Sequence, residues 1–386
     1  MSVMKKAGKI LFLPLTLLNK LIPKKAHNVL FYSNLGFRDN VKAMYDHMIT
    51  EGYNREFNIT VSTDEFERYQ NSAPENVKFV SLKKGIVPFL FSKYVFYSFG
   101  KYPIKPARDQ KVVNLWHGMP LKRIGRLEAG HERDKQNYFT DVIATSPFFA
   151  EVMKKAFGAE NKQVILTSQP RCDDMFKETK KPDSFSDYSK VIFWLPTFSN
   201  SSRLNKNDNV HYDEVNPYDV TFLERVNEAL KKQNMLLVIK PHPMDDADLS
   251  KIPFSNLFYV TDDDILKKGY SLYSFLSHTD ALITDFSSIY FDFLMLNRPI
   301  AFAGLDFEEY RKNRGFVVDD VSELMPGCHI DCEEEFLDFL KSVSRGEDNY
   351  KEKREECNAF VNSFAGGGCE RVLKHMGLTK NGGKLK

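Results

Sequence analysis

Two histidines directly follow short apolar segments that have the composition of β-strands. His117 comes after "VVNLW", and His242 lies in "VIKPHP" at the end of "MLLVIK". A histidine at the end of a strand can exchange a proton near neutral pH or donate a hydrogen bond to an anion. Pro241 and Pro243 restrict the backbone around His242, so less entropy is lost in presenting its imidazole. A structural role in a turn is the alternative for each histidine considered alone.

Cationic side chains lie near both histidines in the sequence. His117 is followed by the turn glycine Gly118 and the cations Lys122, Arg123 and Arg126. Lys240 lies two residues before His242. A further group of cations in "EEYRKNRGF" contains Arg311, Lys312 and Arg314. Such cations suit phosphate oxygens, which arginine binds in a bidentate geometry. A solvated charged surface is the alternative for each run of charges.

A third segment, "ALITDFSSIYF", joins a strand-like run to a predicted helix through Asp285, Ser287 and Ser288. Free backbone N–H groups and the positive end of the helix dipole favour phosphate at such a helix start. Ordinary N-capping is the alternative, because serine and aspartate are common caps. Capping is also the better interpretation of the acidic run 262–264, although three aspartates could hold a divalent cation.

Composition and missing motifs exclude several classes of protein. The chain has 386 residues, 42% hydrophobic and 27% charged, with a formal net charge of +2. This length predicts two domains, and the small net charge argues against nucleic-acid binding. We find no Gly-x-Gly-x-x-Gly after the first strand, no Walker-type Gly-Lys-Ser/Thr and no Gly-x-Ser-x-Gly. Dehydrogenase, P-loop ATPase and α/β-hydrolase functions are therefore disfavoured.

The five cysteines are odd in number, scattered, and preceded by no secretory signal. This usage is typical of free thiols in a reducing cytosol. Cys328 and Cys332 flank His329 in "CHIDC", but a structural zinc site would need a second pair of ligands. We expect free thiols and no metal site.

Short β-type runs alternate with amphipathic helical patterns along most of the chain. The first set of runs covers 28–33, 58–63, 77–82, 94–99, 111–116, 141–146 and 163–168. The second set covers 191–196, 235–240, 257–262, 280–285 and 298–303. Helical patterns between them include 41–51, 148–157 and 219–233. Near-continuous apolar strands separated by helices predict an α/β fold with two Rossmann-like, doubly wound domains.

A polar stretch at 177–190 separates the two sets and predicts a linker, with an interdomain cleft between the halves. The predicted domains are 27–180 and 181–345, and the helices of 346–386 are expected to cross back onto the first domain. A Ser- and Asn-rich segment at 199–212 predicts a mobile loop at the rim of the cleft.

The N-terminal segment 1–26 is basic and partly apolar, and no acidic residue occurs before Asp39. Pro14 and Asn19 interrupt its apolar part, which is too short to span a bilayer. No small-residue cleavage site follows, which argues against a removed signal peptide. The segment therefore predicts an amphipathic element on an anionic membrane surface. A first helix that packs on its own domain is the alternative.

Taken in order, these motifs resemble those of the CDP-glycerol glycerophosphotransferase family, which includes teichoic acid primases and polymerases. The matching pieces are "GFRDNVKAMYDHM", "NLWHGMPLKRIG", "ATSPFFAEVMKKAFG", "QPRCDDMF", "LPTF", "IKPHP", "TDFSSIYFDFLMLNRPIAF" and "YRKNRGF" followed by "MPG". The ordered set is far more specific than any one motif.

The resemblance implies a glycosyltransferase-B type architecture, with the acceptor on the first domain and the CDP donor on the second. It implies transfer of glycerol phosphate from CDP-glycerol to a hydroxyl of a membrane-linked polyol-phosphate or glycan acceptor, of teichoic acid or capsule type, with release of CMP. The expected location is the cytoplasmic face of the cell membrane, as a peripheral protein. No cofactor besides the donor substrate is expected, and no oligomeric state is predicted.

The motifs and the resemblance together assign residues to three groups. The catalytic pair is His117 and His242. The donor- and phosphate-binding residues are Pro196, Thr197, Lys240, Asp285, Ser287, Ser288, Arg311 and Arg314. The acceptor-side residues are Asp39, Asn40, Gly118, Lys122, Arg123 and Arg126. In the expected mechanism His117 takes the proton of the acceptor hydroxyl, while His242, Arg314 and the amides at the two serines stabilise the diphosphate and the departing CMP.

Two segments depart from the family's pattern. "LPTFSN" has Phe198 and Ser199 where a Trp-Arg pair often occurs, and "PGC" replaces a Pro-Gly-Pro-like turn. CDP-ribitol therefore stays open as the donor. A nucleotide-sugar glycosyltransferase of the same fold and a non-catalytic binding protein also stay open, although a scaffold without activity need not retain these motifs together.

Overall fold

The computed structural model describes residues 12–134, 137–196, 215–241, 254–304 and 315–379. The predicted loop 199–212 and the candidate residues Thr197, His242, Arg311 and Arg314 lie outside the described residues. The described chain divides into two units. The first comprises the described residues up to Met119, Gly125–Asp173 and those from Ser363 onward. The second comprises Pro120–Ile124 and the described residues of Asp174–Asn362.

The first unit is built on a seven-stranded parallel sheet with the order β3-β2-β1-β4-β5-β6-β7. Its strands are β1 (Lys25–Ser33), β2 (Asn58–Thr63), β3 (Val77–Val80), β4 (Ser92–Tyr97), β5 (Lys111–Asn114), β6 (Asp141–Ala144) and β7 (Val164–Leu166). Its first five helices are α1 (Leu13–Leu21), α2 (Asp39–Thr50), α3 (Phe66–Tyr69), α4 (Ile86–Phe91) and α5 (Pro147–Phe157).

The second unit is built on a six-stranded parallel sheet with the order β10-β9-β8-β11-β12-β13. Its strands are β8 (Lys190–Trp194), β9 (Met235–Ile239), β10 (Leu257–Tyr259), β11 (Ala281–Thr284), β12 (Ile300–Ala303) and β13 (Cys328–Ile330). Its described helices are α6 (Val220–Lys232), α7 (Asp262–Lys267), α8 (Leu272–Leu276), α9 (Ile289–Phe293), α10 (Glu333–Arg345) and α11 (Lys351–Val361).

Both sheets have the strand order of a doubly wound fold, which confirms the predicted α/β class. In each unit the first strand pairs on one side with the second and on the other with the fourth. The direction of winding therefore reverses between β1 and β4 in the first unit, and between β8 and β11 in the second. Ligands of such sheets bind beyond the carboxyl ends of the strands at this reversal.

The unit boundaries differ from the predicted domain boundaries. The chain enters the second unit at Asp174 rather than at 181, because the polar stretch after it folds there: Phe185 is fully buried and packs against the ring of Phe275 at 4.8 Å. Of the helices predicted to return to the first unit, α11 belongs to the second. Within the described residues 346–379, the helix that packs in the first core is α12 (Gly368–Met376), through apolar residues at 3–4-residue spacing.

Helix α1 packs on the first unit through polar side chains and exposes its leucines. Thr16 and Asn19 are buried, and the Asn19 Nδ2 donates to the backbone oxygen of Lys105 at 3.0 Å and to Gln110 Oε1 at 2.9 Å. The exposed side is formed by Leu13 (58% exposed), Leu17 (57%), Leu18 (45%) and Leu21 (79%). A helix is therefore present within the N-terminal segment 1–26, and four of its leucines face away from the core of its own unit. In the described part of the chain, no helix combines the length and hydropathy needed to cross a bilayer.

Strand β13 is absent from our sequence prediction. It has only three residues, two of them half-buried, and lies at the edge of the second sheet beside β12. Short edge strands carry little periodic signal, because tertiary pairing rather than an apolar run defines them.

Candidate functional site

His117 lies just beyond the carboxyl end of β5, in a backbone segment that is not regular. Trp116 before it has φ of 51°, and Gly118 after it has φ of 119°. The half-buried imidazole stacks on Phe99, with ring centroids 4.8 Å apart and planes inclined by 19°. The Trp116 ring is also close, with its centroid 4.0 Å from that of the imidazole and the planes inclined by 33°. Two aromatic rings thus restrict the orientation of the predicted catalytic imidazole.

The carboxamide of Asn40 anchors this segment to the start of α2. Its Nδ2 donates to the backbone oxygens of Leu115 and Trp116, each at 3.1 Å, and to Gln169 Oε1. Its Oδ1 accepts from the backbone N–H of Arg171 at 3.1 Å. Asn40 is fully buried, and its carboxamide bonds groups of the fold itself.

Asp39 and Arg171 form a buried ion pair beside the same segment. Arg171 Nη1 lies 2.8 Å from both carboxylate oxygens of Asp39 and donates to the backbone oxygen of His117 at 3.2 Å. The side chains of Arg171 and Asp39 are 8% and 13% exposed. Asp39 has φ of 62°, and its Oδ1 accepts from the Asn40 N–H at 2.6 Å. The predicted acceptor-side residue Asp39 therefore orients Arg171 toward the backbone of His117.

The cations that follow His117 separate into two environments. In the second unit, the backbone of 121–123 pairs antiparallel with that of 315–317, with a β-bridge between Lys122 and Phe316. The Arg123 Nε also donates to the Phe316 backbone oxygen at 3.0 Å. Arg126 instead lies against Gly158 at the C-cap of α5 in the first unit, where a Cβ would clash with its guanidinium. A guanidinium is favourable there, since carbonyl groups end the helix. Lys122 and Arg123 therefore belong to the second unit and Arg126 to the first.

The loop after β1, where many Rossmann domains hold a phosphate, is closed by carboxylates in the first unit. The Gly36 N–H donates to Asp64 Oδ1, and the Phe37 N–H donates to Glu65 Oε2, each at 2.9 Å. These amides are engaged with negative groups of the protein itself, so a phosphate would meet repulsion. This explains in physical terms why no Gly-x-Gly-x-x-Gly is needed after β1.

In the second unit, Lys240 follows β9 and is buried. Its Nζ lies 3.2 Å from Asp262 Oδ1 in the first turn of α7. Thr261 caps that helix, and Asp264 accepts from Thr261 in a capping box, whose hydrogen bonds lower the pKa of Asp264. The acidic run 262–264 thus forms the first turn of a capped helix, in agreement with the predicted capping role.

The serine segment lies beside the winding reversal of the second sheet. Pro196 follows β8, and the Thr284 Oγ1 donates to the Leu195 oxygen at 3.1 Å, which joins the ends of β8 and β11. Asp285 is buried, and its Oδ1 accepts from the Ser287 N–H at 2.9 Å. Helix α9 begins after Ser288, whose side chain makes no capping hydrogen bond. Both serine residues are half-buried, and the Ser287 amide already donates to Asp285.

The "CHIDC" segment forms β13 and carries no metal-site geometry. Burial raises the pKa of the Cys328 thiol and lowers that of His329, so the thiol is the dominant form at neutral pH. All five cysteines are free, and the described ranges contain no cluster of three potential ligands.

Sequence reasoning missed Phe99, Gln169 and Arg171, which surround the His117 segment. Gln169 and Arg171 both lie in "QPRCDDMF", which we used only as a family motif. The charge of Arg171 next to a strand end was a usable signal, but only the fold brings it beside residues 39 and 117.

Two parallel sheets of Rossmann order, each with polar residues beyond its carboxyl ends, define a two-unit, doubly wound α/β protein. A family model described as CDP-Glycerol:Poly(glycerophosphate) glycerophosphotransferase matches residues 15–376. The chain therefore belongs to the CDP-glycerol:poly(glycerophosphate) glycerophosphotransferase family, which confirms the predicted resemblance.

Individual relatives add detail. The teichoic acid poly(ribitol-phosphate) polymerase of Bacillus spizizenii is 27% identical over 92% of this chain and 56% of its own length. The teichoic acid poly(glycerol phosphate) polymerase of the same organism is 24% identical over 89% of each chain. A structure of the wall teichoic acid polymerase TagF, a variant soaked with CDPG, has a TM-score of 0.74 at 18% identity, covering 96% of this chain and 92% of that one. This chain thus has the same fold as TagF, and it spans little more than half the length of the ribitol-phosphate polymerase.

Proposed function

We propose that this protein transfers glycerol phosphate from CDP-glycerol to a hydroxyl of a membrane-linked, teichoic acid or capsule-type acceptor and releases CMP. The main support is family membership over residues 15–376 together with His117, held against aromatic rings at a strand end. The acceptor oxygen attacks the phosphorus of the glycerol phosphate group, its proton passes to His117, and the bond to the CMP oxygen breaks. Such a transfer depends mainly on positioning and charge stabilisation.

In this proposal the second unit binds the donor. The half-buried Ser287 and Ser288 and the region around Pro196 lie at the winding reversal of its sheet, where doubly wound folds bind nucleotides. The loop after β1 in the first unit is unfavourable for a phosphate, because its backbone N–H groups already donate to Asp64 and Glu65. His242, Thr197, Arg311 and Arg314 are proposed donor-side residues on the sequence motifs alone.

The serine assignment predicts a binding defect. Replacing both Ser287 and Ser288 with alanine should weaken CDP-glycerol binding about 10-fold, because each lost hydrogen bond contributes roughly 0.5–1.5 kcal/mol. Isothermal titration calorimetry measures the Kd directly. Ser277→Ala is the matched control, since that hydroxyl bonds to the Ser274 oxygen within its own helix end. An unchanged Kd in the double variant would exclude these serines from the donor site.

A specific observation supports a second donor, CDP-ribitol, because a ribitol-phosphate polymerase is among the relatives that match most of this chain. Purified protein is incubated with CDP-glycerol, CDP-ribitol or a nucleotide sugar, each with a short lipid-linked acceptor, and the products are resolved by mass. Glycerol phosphate additions with release of CMP are expected. Additions from CDP-ribitol alone would favour the second donor, and transfer only from a nucleotide sugar would reject both.

We further propose that the protein is peripheral at the cytoplasmic face of the membrane and that α1 contacts an anionic lipid surface. The exposed leucines of α1 supply apolar area, and Lys20 and Lys25 supply exposed positive charge beside it. Insertion of apolar side chains and attraction to anionic lipids act together in such helices. The polar contacts of Thr16 and Asn19 keep this side outward.

Substitution of three α1 leucines tests this contact. The triple variant Leu13→Ser, Leu17→Ser, Leu21→Ser should bind vesicles of phosphatidylcholine and phosphatidylglycerol at least about 100-fold more weakly, because each inserted leucine contributes roughly 1.5 kcal/mol or more. Vesicle co-sedimentation measures the change. The Tm should stay unchanged, because these side chains are already exposed. Leu166→Ser, an exposed leucine of the same unit, is the control, and equal vesicle binding by the triple variant would refute the contact.

A further inference from the structure

We infer that Arg171, oriented by Asp39, is a positioning residue for His117: it holds the backbone oxygen of His117 and thereby fixes the imidazole against Phe99. This inference rests on the proposed function for its catalytic consequence, but the positioning itself is a structural property. Neither Arg171 nor Asp39 is placed to act on substrate, because both side chains are almost fully buried in the ion pair.

The first argument is the connectivity of the ion pair. A single nitrogen, Arg171 Nη1, contacts both oxygens of Asp39 and the backbone oxygen of His117. The backbone N–H of Arg171 is bonded to Asn40, the residue next to Asp39. Two adjacent residues of α2 therefore hold Arg171, Asn40 at its backbone and Asp39 at its guanidinium. Any displacement of the guanidinium would move a hydrogen bond of His117 itself.

The second argument is the backbone conformation around His117. Trp116 and Asp39 both have positive φ, an unfavourable conformation for residues with a side chain. Such conformations persist only where surrounding contacts over-determine them. Here Asn40 bonds the oxygens of Leu115 and Trp116, and Arg171 bonds that of His117, so three consecutive carbonyls are held.

The third argument is the route from the backbone to the ring. The imidazole of His117 packs against the rings of Phe99 and Trp116, with centroid distances of 4.8 Å and 4.0 Å. Because these two aromatic rings restrict rotation of the imidazole, the position of the His117 backbone determines how far the imidazole reaches beyond the strand end. A displacement of about 1 Å at a reacting group can lower the rate about 100-fold.

The test combines kinetics with a spectroscopic readout in the full-length protein. Arg171→Ala should lower kcat for CDP-glycerol turnover about 100-fold, with the KM for CDP-glycerol changed less than about twofold, because the donor binds to the second unit. Arg171→Lys should recover most of the loss, since its ammonium can reach the same oxygens. Asp39→Asn keeps the shape and should cause an intermediate loss. The double variant of Asp39 and Arg171 should be no worse than Arg171→Ala alone, because the two residues act as one unit.

The spectroscopic readout is independent of substrate. Histidine side chains are labelled with carbon-13, and the signal of His117 is identified among the nine histidines by its loss in His117→Gln. In Arg171→Ala this signal should shift and broaden, because the ring samples several orientations, whereas the other histidine signals stay in place. Arg354→Ala is the matched control, since it breaks another buried ion pair, with Asp348 in the second unit. It should leave both kcat and the His117 signal unchanged.

Each outcome decides the inference. A normal kcat in Arg171→Ala, or a lost kcat with an unchanged His117 signal, would overturn the positioning role. An equal effect of Arg354→Ala on the His117 signal would also overturn it. Absence of turnover by the wild-type protein with any CDP-polyol would instead reject the proposed function, and the His117 signal in Arg171→Ala would still decide whether the ion pair positions the ring.

Discussion

Replacing His117 with alanine should lower kcat for transfer from CDP-glycerol by about 10²–10⁴-fold, the usual contribution of a general base. The KM for CDP-glycerol should stay within a few-fold, because donor contacts lie in the second unit in our proposal. The expectation rests on the imidazole at the end of β5, held against two aromatic rings and tied through its backbone to Arg171. Release of CMP under saturating donor and acceptor measures kcat.

His131→Ala is the matched control for His117. That imidazole lies in the same unit and bonds Asp134 through its Nδ1 at 3.0 Å, away from any strand end. Its replacement should leave kcat within about twofold, as expected for surface substitutions. A His117→Ala variant that stays folded and retains kcat within a few-fold of wild type would remove the general-base role. If His242→Ala also retains turnover, the two-histidine mechanism is wrong as a whole.

Replacing Asn40 with alanine should lower the free energy of unfolding of the first unit by about 3 kcal/mol or more. The substitution removes the partner of the buried Leu115 oxygen, the buried Arg171 N–H and the partly buried Trp116 oxygen. Each unsatisfied buried group costs roughly 1–3 kcal/mol. Urea titration followed by tryptophan fluorescence measures the loss. Trp116 lies in the first unit and Trp194 in the second, so the transition that involves Trp116 should move to lower urea.

Two further variants distinguish hydrogen bonding from packing at this position. Asn40→Asp has nearly the same shape, but its carboxylate would face the Leu115, Trp116 and Gln169 oxygens. It should therefore destabilise at least as much as alanine. Asn54→Ala removes one exposed hydrogen bond to the Glu75 oxygen and should change stability by no more than about 0.5 kcal/mol. A tolerated Asn40→Asp would contradict the hydrogen-bonding role of this side chain.

The strand pattern was readable from the sequence because both sheets are buried on both faces. Runs such as 28–33 and 235–240 are apolar at nearly every position, and the structure has β1 and β9 there. Strand β13 was not readable, because pairing at a sheet edge leaves no periodic signal in the sequence. The fold of the stretch after Asp174 was not readable either, because it depends on the burial of single residues such as Phe185.

The candidate site divides in the same way. Sequence alone indicated His117 as a candidate, since its position after an apolar run is a local property. It indicated the serine segment as a candidate for the same reason. It grouped Lys122, Arg123 and Arg126 because they are adjacent, whereas the fold assigns the first two to the second unit and packs the third on α5.

Residue types and their order along the chain determined the α/β class and the family, and they indicated His117 as the candidate histidine, because those depend on local periodicity and on motifs. The tertiary structure alone decided that Asp39 and Asn40 support the His117 segment through Arg171, and that the leucines of α1 face outward. Residues 39 and 171 are 132 positions apart, and only the pairing of parallel strands brings their loops to the same edge of the sheet.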